Sequence, residues 1–138
     1  MRFPFSCLLS FTWLVILVQS LNAAPVPTWK GASWIWDKKI GAAGADSADP
    51  RYMRRVFKLS QKPAKAEILI TVDNGYALYV NGKKIGSNAQ WIAVEKYSVA
   101  KLLTKGTNVI AIEAANAGGP AAAICWLKMT SADKKQTV

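Results

Sequence analysis

Aromatic side chains stand beside short polar groups at three places in this 138-residue chain. Trp36 is followed by Asp37, Tyr76 follows Asp73-Asn74-Gly75, and Trp91 follows Ser87, Asn88 and Gln90. An aromatic face packs on the C–H face of a sugar ring, while carboxylates and amides hydrogen-bond its hydroxyls. Trp36, Asp73, Asn74, Tyr76 and Trp91 are therefore candidate ligand contacts. Asn116, just ahead of Ala117-Gly118-Gly119-Pro120, joins them as an amide that either faces a ligand or bonds its own loop. The competing use of the ten aromatics after residue 24 is as core, since each buries roughly 150–250 Å².

Other chemistries are excluded by composition. With no His, a Ser-His-Asp triad, a Cys-His dyad and a His metal cluster are absent. Cys7 and Cys125 are the two cysteines, and Cys125 alternates with Ala123 and Leu127 as a small apolar strand residue would. Glu113 lies mid-strand in the apolar run Asn108–Ala115, which marks it either as outward-facing or as the partner of a buried cation. On the Tyr52–Leu59 segment, one of Arg54 and Arg55 must share a face with core residues, so an ion pair with Glu113 or Asp73 is expected. Eighteen Lys and Arg against eight Asp and Glu give a net charge of +10, scattered as pairs such as Lys38-Lys39, Lys83-Lys84 and Lys134-Lys135. That dispersion suits solvated loops and sheet edges rather than a nucleic-acid stripe. A polyanionic polymer remains open as a partner, held by salt-sensitive attraction.

The elements that must position these residues are strands. Residues 1–23 are set aside first: Arg2, then the uncharged run Cys7–Val18, then Leu21-Asn22-Ala23, read as a secretory signal cleaved after Ala23. The run is shorter than the roughly 20 residues a spanning helix needs, so no membrane span is expected after cleavage, and the product is secreted, periplasmic or on the cell surface; an uncleaved N-terminal anchor is the alternative. In 24–130, Ser33–Trp36 is a short strand and Ile40–Pro50 a loop. Tyr52–Leu59 and Ala66–Val72 are strands, the latter with period-two alternation. Tyr76–Val80 turns through Asn81-Gly82 into Lys83–Ile85, since both central positions of a type I′ turn need positive φ. Gly86–Gln90 reads as loop, Trp91–Val94 and Tyr97–Val99 as short strands or connectors, and Ala100–Leu103 as one helical turn. Asn108–Ala115 and Ala121–Met129 close the series. Short strands at this spacing make an all-β sandwich or barrel.

The order of motifs resembles a family. Asp73-Asn74-Gly75-Tyr76, Leu78-Tyr79-Val80-Asn81-Gly82-Lys83, Val99-Ala100-Lys101-Leu102-Leu103, Lys105-Gly106-Thr107-Asn108-Val109-Ile110-Ala111 and Ala114-Ala115-Asn116 follow one another, preceded by Ala32–Trp36 and Arg54-Arg55-Val56-Phe57. From Ser33 to Met129 this resembles the galactose-binding-like jelly roll in the N-terminal domains of bacterial α-L-rhamnosidases and the sugar-binding domains of β-galactosidase-type enzymes. The resemblance implies a jelly-roll β-sandwich and a non-catalytic module that binds carbohydrate or packs beside a catalytic domain. It also implies a further strand where 131–138 stands, so the tail reads as a polar end or the start of a truncated strand. Two alternatives follow: a fragment of a larger secreted glycoside hydrolase, or a structural or adhesion sandwich without a sugar site. Glycoside hydrolysis needs a spaced carboxylate pair, and no catalytic residue is assigned. No cofactor is expected. Domains that look like this can hold a structural Ca²⁺, for which the Asp46/Asp49 loop is the candidate, without the dense Asp/Asn/Gly spacing of a dedicated loop.

Overall fold

The computed structural model describes residues 29, 31–37 and 49–130. The signal-like segment 1–23, most of the Ile40–Pro50 loop with Asp46, and the 131–138 tail lie outside the described residues. Among the described residues, seven strands run in order: β1 (Arg51–Leu59), β2 (Lys65–Asp73), β3 (Gly75–Val80), β4 (Lys83–Asn88), β5 (Glu95–Ser98), β6 (Gly106–Ala115) and β7 (Ala122–Thr130). A single 3₁₀ turn, Ala100–Leu102, links β5 to β6. The strands form two sheets, ordered β1-β6-β3-β4 and β5-β2-β7, with every pairing antiparallel. This is the expected all-β jelly-roll sandwich. Among the described residues, no helix is long and apolar enough to cross a membrane.

Alternation builds the core. Ala66, Ile68, Ile70 and Val72 of β2 point inward and are fully buried, as the period-two pattern predicts. Leu78 and Val80 of β3 and Ile110, Ile112 and Ala114 of β6 meet them from the other sheet. Asn81 and Gly82 adopt φ of 49° and 80°, the left-handed pair that joins β3 to β4.

Three segments depart from the sequence reading or decide between its alternatives. Gly86–Gln90 is not all loop: β4 continues to Asn88, with Gly86 opposite Leu78 and Asn88 opposite Tyr76. A bulge between Leu78 and Tyr79 absorbs the extra residue. Gly86 belongs in the strand because the Tyr97 ring lies where its Cβ would stand. Of the two readings of Trp91–Val94, strand gives way to connector: the segment is turn and irregular backbone. Ser33–Trp36 contributes one bridge, Ile35 to Ala123, with both backbone hydrogen bonds at 2.9 Å.

The expected buried arginine is also corrected. Arg54 and Arg55 are both exposed, and neither pairs with a carboxylate among the described residues. Arg55 has the inward parity of Met53 and Phe57, but β1 is the sheet edge and the smaller sheet does not cover it.

The buried polar residue at the β3–β4 end is Asn108. Its Oδ1 accepts from Thr104 N at 2.9 Å and Asn81 Nδ2 at 3.0 Å. Its Nδ2 donates to Thr104 O at 2.8 Å and Gly106 O at 3.0 Å. Asn81 adds bonds to Leu102 O and from Val109 N, both at 2.8 Å. Asn108→Ala strands several of these backbone groups, and urea denaturation should show a loss of about 2–4 kcal/mol.

Cys125 is half-buried against the core, and desolvation pushes its thiol from the ordinary 9.0 up to about 12. The native thiol should therefore resist Ellman's reagent at pH 8 and react at once in urea. The raised pKa also has a sign for stability. Above pH 9 the unfolded chain binds fewer protons than the folded one, so this group's contribution is full below pH 9 and fades towards pH 12.

Candidate functional site

The six candidate residues, spread from Trp36 to Asn116, converge on one end of the sandwich. That end is where β2 stops, β3 starts, β4 stops, β6 stops and β7 starts. Its corner is the Asp73-Asn74-Gly75 turn, with a cis peptide between Asp73 and Asn74. Asn74 N donates to Ala115 O at 2.9 Å, and Asn74 Oδ1 accepts from Ala117 N at 2.6 Å. These bonds tie the β2–β3 corner to the β6–β7 loop. In that loop the buried Asn116 donates from Nδ2 to Gly119 O at 3.3 Å. Gly118 and Gly119 have φ of 121° and 73°, which is why the loop needs glycines.

The loop after β4 is fixed by side chains on both flanks. Asn88 Nδ2 donates to Glu95 Oε1 at 2.8 Å, and Asn88 Oδ1 accepts from Gln90 N at 2.7 Å. Thr71 Oγ1 donates to Trp91 O at 2.6 Å. The backbone of Trp91 is thus held to β2 while its ring projects, with 59% of the residue exposed. Asp73 is half-exposed at the adjoining corner.

The other candidates serve the frame. Tyr76 is buried, and its hydroxyl meets Tyr97 OH at 3.1 Å beneath Gly86. Desolvation, with the Tyr97 hydrogen bond second, pushes its phenol strongly upward, so it stays neutral. Trp36 packs half-buried on the core beside a pocket of about 230 Å³, where Asp37 pairs with Arg51 at 3.3 Å. Trp91 is thus exposed and Asp73 half-exposed at this end, while Asn74 and Asn116 bond its loops and Tyr76 and Trp36 pack toward the core. Among the described residues, no group of three His, Cys, Asp or Glu could hold a metal ion.

Of the two readings of Glu113 the outward-facing one holds, and its tyrosine neighbours are what sequence reading missed. Glu113 is half-buried on the outward face of the larger sheet. Tyr52 and Tyr79 hydroxyls approach its Oε1 and Oε2, each at 3.5 Å. These tyrosines take the place of the expected arginine. The signal lay in register: Tyr52 and Ala77 both pair with Glu113, and Tyr79 pairs with neighbouring Ala111.

No family model matches the chain. It is 31% identical over 119 residues to an α-L-rhamnosidase of Streptomyces avermitilis, and 32% identical over 123 residues to one of Alteromonas sp.. The matches take in 81% and 79% of this chain but 12% of each enzyme. The structure superposes on the Streptomyces avermitilis enzyme complexed with L-rhamnose with a TM-score of 0.72 at 30% identity, over 84% of this chain and 12% of that one. It also superposes on a Pleurotus ostreatus lectin in complex with GalNAc, with a TM-score of 0.73 at 32% identity, over 83% of this chain and 34% of the lectin. The described strands form a galactose-binding-like domain. The galactose-binding-like domain corresponds to a small part of the α-L-rhamnosidases it matches.

Proposed function

We propose that the chain is an exported, non-catalytic carbohydrate-binding module that serves glycan degradation. The sugar sits at the sandwich end, with the Trp91 ring stacked on its C–H face and Asp73 accepting from its hydroxyls. Asn74 and Asn116 hold the corner that aims Asp73, while Tyr76 and Trp36 support it from the core side. The observation that carries this reading is the exposed Trp91 ring on a backbone fixed by Thr71, which stands two residues before Asp73 in β2. The L-rhamnose and GalNAc complexes of the similar proteins support the ligand class. The leader-like pattern of residues 2–23 supports export.

A second reading is favoured by one observation, the 12% share of each matched rhamnosidase. In it, the chain corresponds to a piece of a larger glycoside hydrolase whose catalytic domain is its partner. Sugar binding by the isolated chain without hydrolysis fits both readings. Hydrolysis of an aryl α-L-rhamnoside by the chain alone would count against both.

Calorimetric titration of the chain with L-rhamnose and GalNAc checks the site. Weak binding, in the range of roughly 10 μM to 1 mM, is expected for one stacked ring with few polar contacts. Trp91→Ala should weaken it about tenfold or more, through the loss of about 1.4 kcal/mol of stacking and burial. Asp73→Asn should weaken it similarly while leaving the thermal midpoint close to that of the parent. Unchanged affinity in both variants would refute the placement.

A further inference from the structure

A second cleft lies on the outward face of the larger sheet, bordered at one end by Asn88 and Ala89 at the start of the Trp91 loop. We propose that it binds an uncharged sugar residue through neighbouring hydroxyls, with Glu113 as the central acceptor. It goes beyond the sandwich-end site and uses neither Trp91 nor Asp73.

The strand register lays the cleft out as rows. One row runs Tyr52, Glu113, Ala77, Ser87 across β1, β6, β3 and β4, and the next runs Arg54, Ala111, Tyr79, Lys84. Neighbouring strands are roughly 4.8 Å apart, so each row spans about the width of a disaccharide. The floor is made of Gly75, Ala77 and Ala115, which lets a ring approach the backbone. The open space above it is about 600 Å³, within the usual range of roughly 300–1,000 Å³ for ligand sites.

The polar groups select the ligand. A carboxylate has about four lone-pair directions. At 3.5 Å the two tyrosine hydroxyls are well beyond the optimal O–H···O distance of roughly 2.7–2.8 Å. Each Glu113 oxygen therefore keeps capacity for another donor, and two adjacent hydroxyls of one ring match that pair. Lys84 and Ser87 line the opposite wall and supply donors for oxygens of the same ligand. Tyr52, 74% exposed, offers a flat apolar surface at the rim. Charge argues against ionic ligands. An anion meets Glu113, and a cation meets Lys84 with Arg54 in the same row.

The test is amide chemical-shift mapping of the full chain with three probes: an uncharged methyl pyranoside, the matching methyl uronate and the matching 2-amino sugar. The uncharged probe should shift Ala77, Lys84, Ser87 and Glu113. Glu113→Gln should weaken that binding about tenfold or more, since it removes charge-assisted acceptors. Ala77→Leu, which raises the floor without entering the core, should abolish it. Trp91→Ala should leave it unchanged. Shifts confined to Asp73, Asn74, Trp91 and Ala117 would overturn this cleft while leaving the sandwich-end site standing. Equal or tighter binding of either charged probe would overturn the assignment to an uncharged sugar.

Discussion

The fold depends on one buried amide being fully satisfied. Asn108 is completely shielded from solvent, and both ends of its side chain are engaged. A buried amide without partners costs more than the same bonds return in water, so the site tolerates one arrangement of its neighbours. Those neighbours are the Thr104–Gly106 turn and Asn81, which in turn bonds Leu102 O and Val109 N. The 3₁₀ turn, the start of β6 and the β3–β4 hairpin therefore lock together. With that hairpin held, the register of β3 against β6 is set along its whole length, because a one-residue slip would turn Leu78 and Val80 out of the core.

Register at the locked end reaches the opposite end through two continuous strands. β6 carries it from Asn108 to Ala115, whose carbonyl receives Asn74 N. β3 carries it from Val80 back to Gly75. A Cβ on Gly75 would fall 2.9 Å from Asn88 O, so glycine is needed for the corner to sit against the end of β4. Asn88 then fixes the loop that bears Trp91. One end is thus a closed polar knot, and the other is a set of loops aimed by it.

How much of this was legible follows from which interactions are local. The strands β1, β2, β6 and β7 were readable because alternation and turn residues are properties of neighbours in sequence. Asn81-Gly82 was readable for the same reason. The candidate residues near Asp73, Trp91 and Asn116 were named from local chemistry, but their convergence depends on distant pairings, such as Ala117 with Asn74, 43 residues apart. Gly86 was misread because turn punctuation and close approach of a distant ring call for the same residue, and Tyr97 is eleven positions away. The buried arginine expected from the Arg54-Arg55 pair was misread because parity alone puts one of the two inside. Only strand order reveals that β1 is an edge with little opposite it.

Strand order also gives the basic excess a physical place. The edges of the larger sheet are β1 and β4, and these carry the exposed pairs Arg54-Arg55 and Lys83-Lys84. The edges of the smaller sheet are β5 and β7, with exposed Lys96 and Lys128. Lysine and arginine on an edge oppose pairing with a like-charged edge of another copy. In the larger sheet the central strands β6 and β3 carry small, apolar and hydrogen-bonding residues, with Glu113 as their one charged side chain. The larger sheet thus keeps its cations at the margins, and in the middle of its outer face the carboxylate of Glu113 stands between two tyrosines.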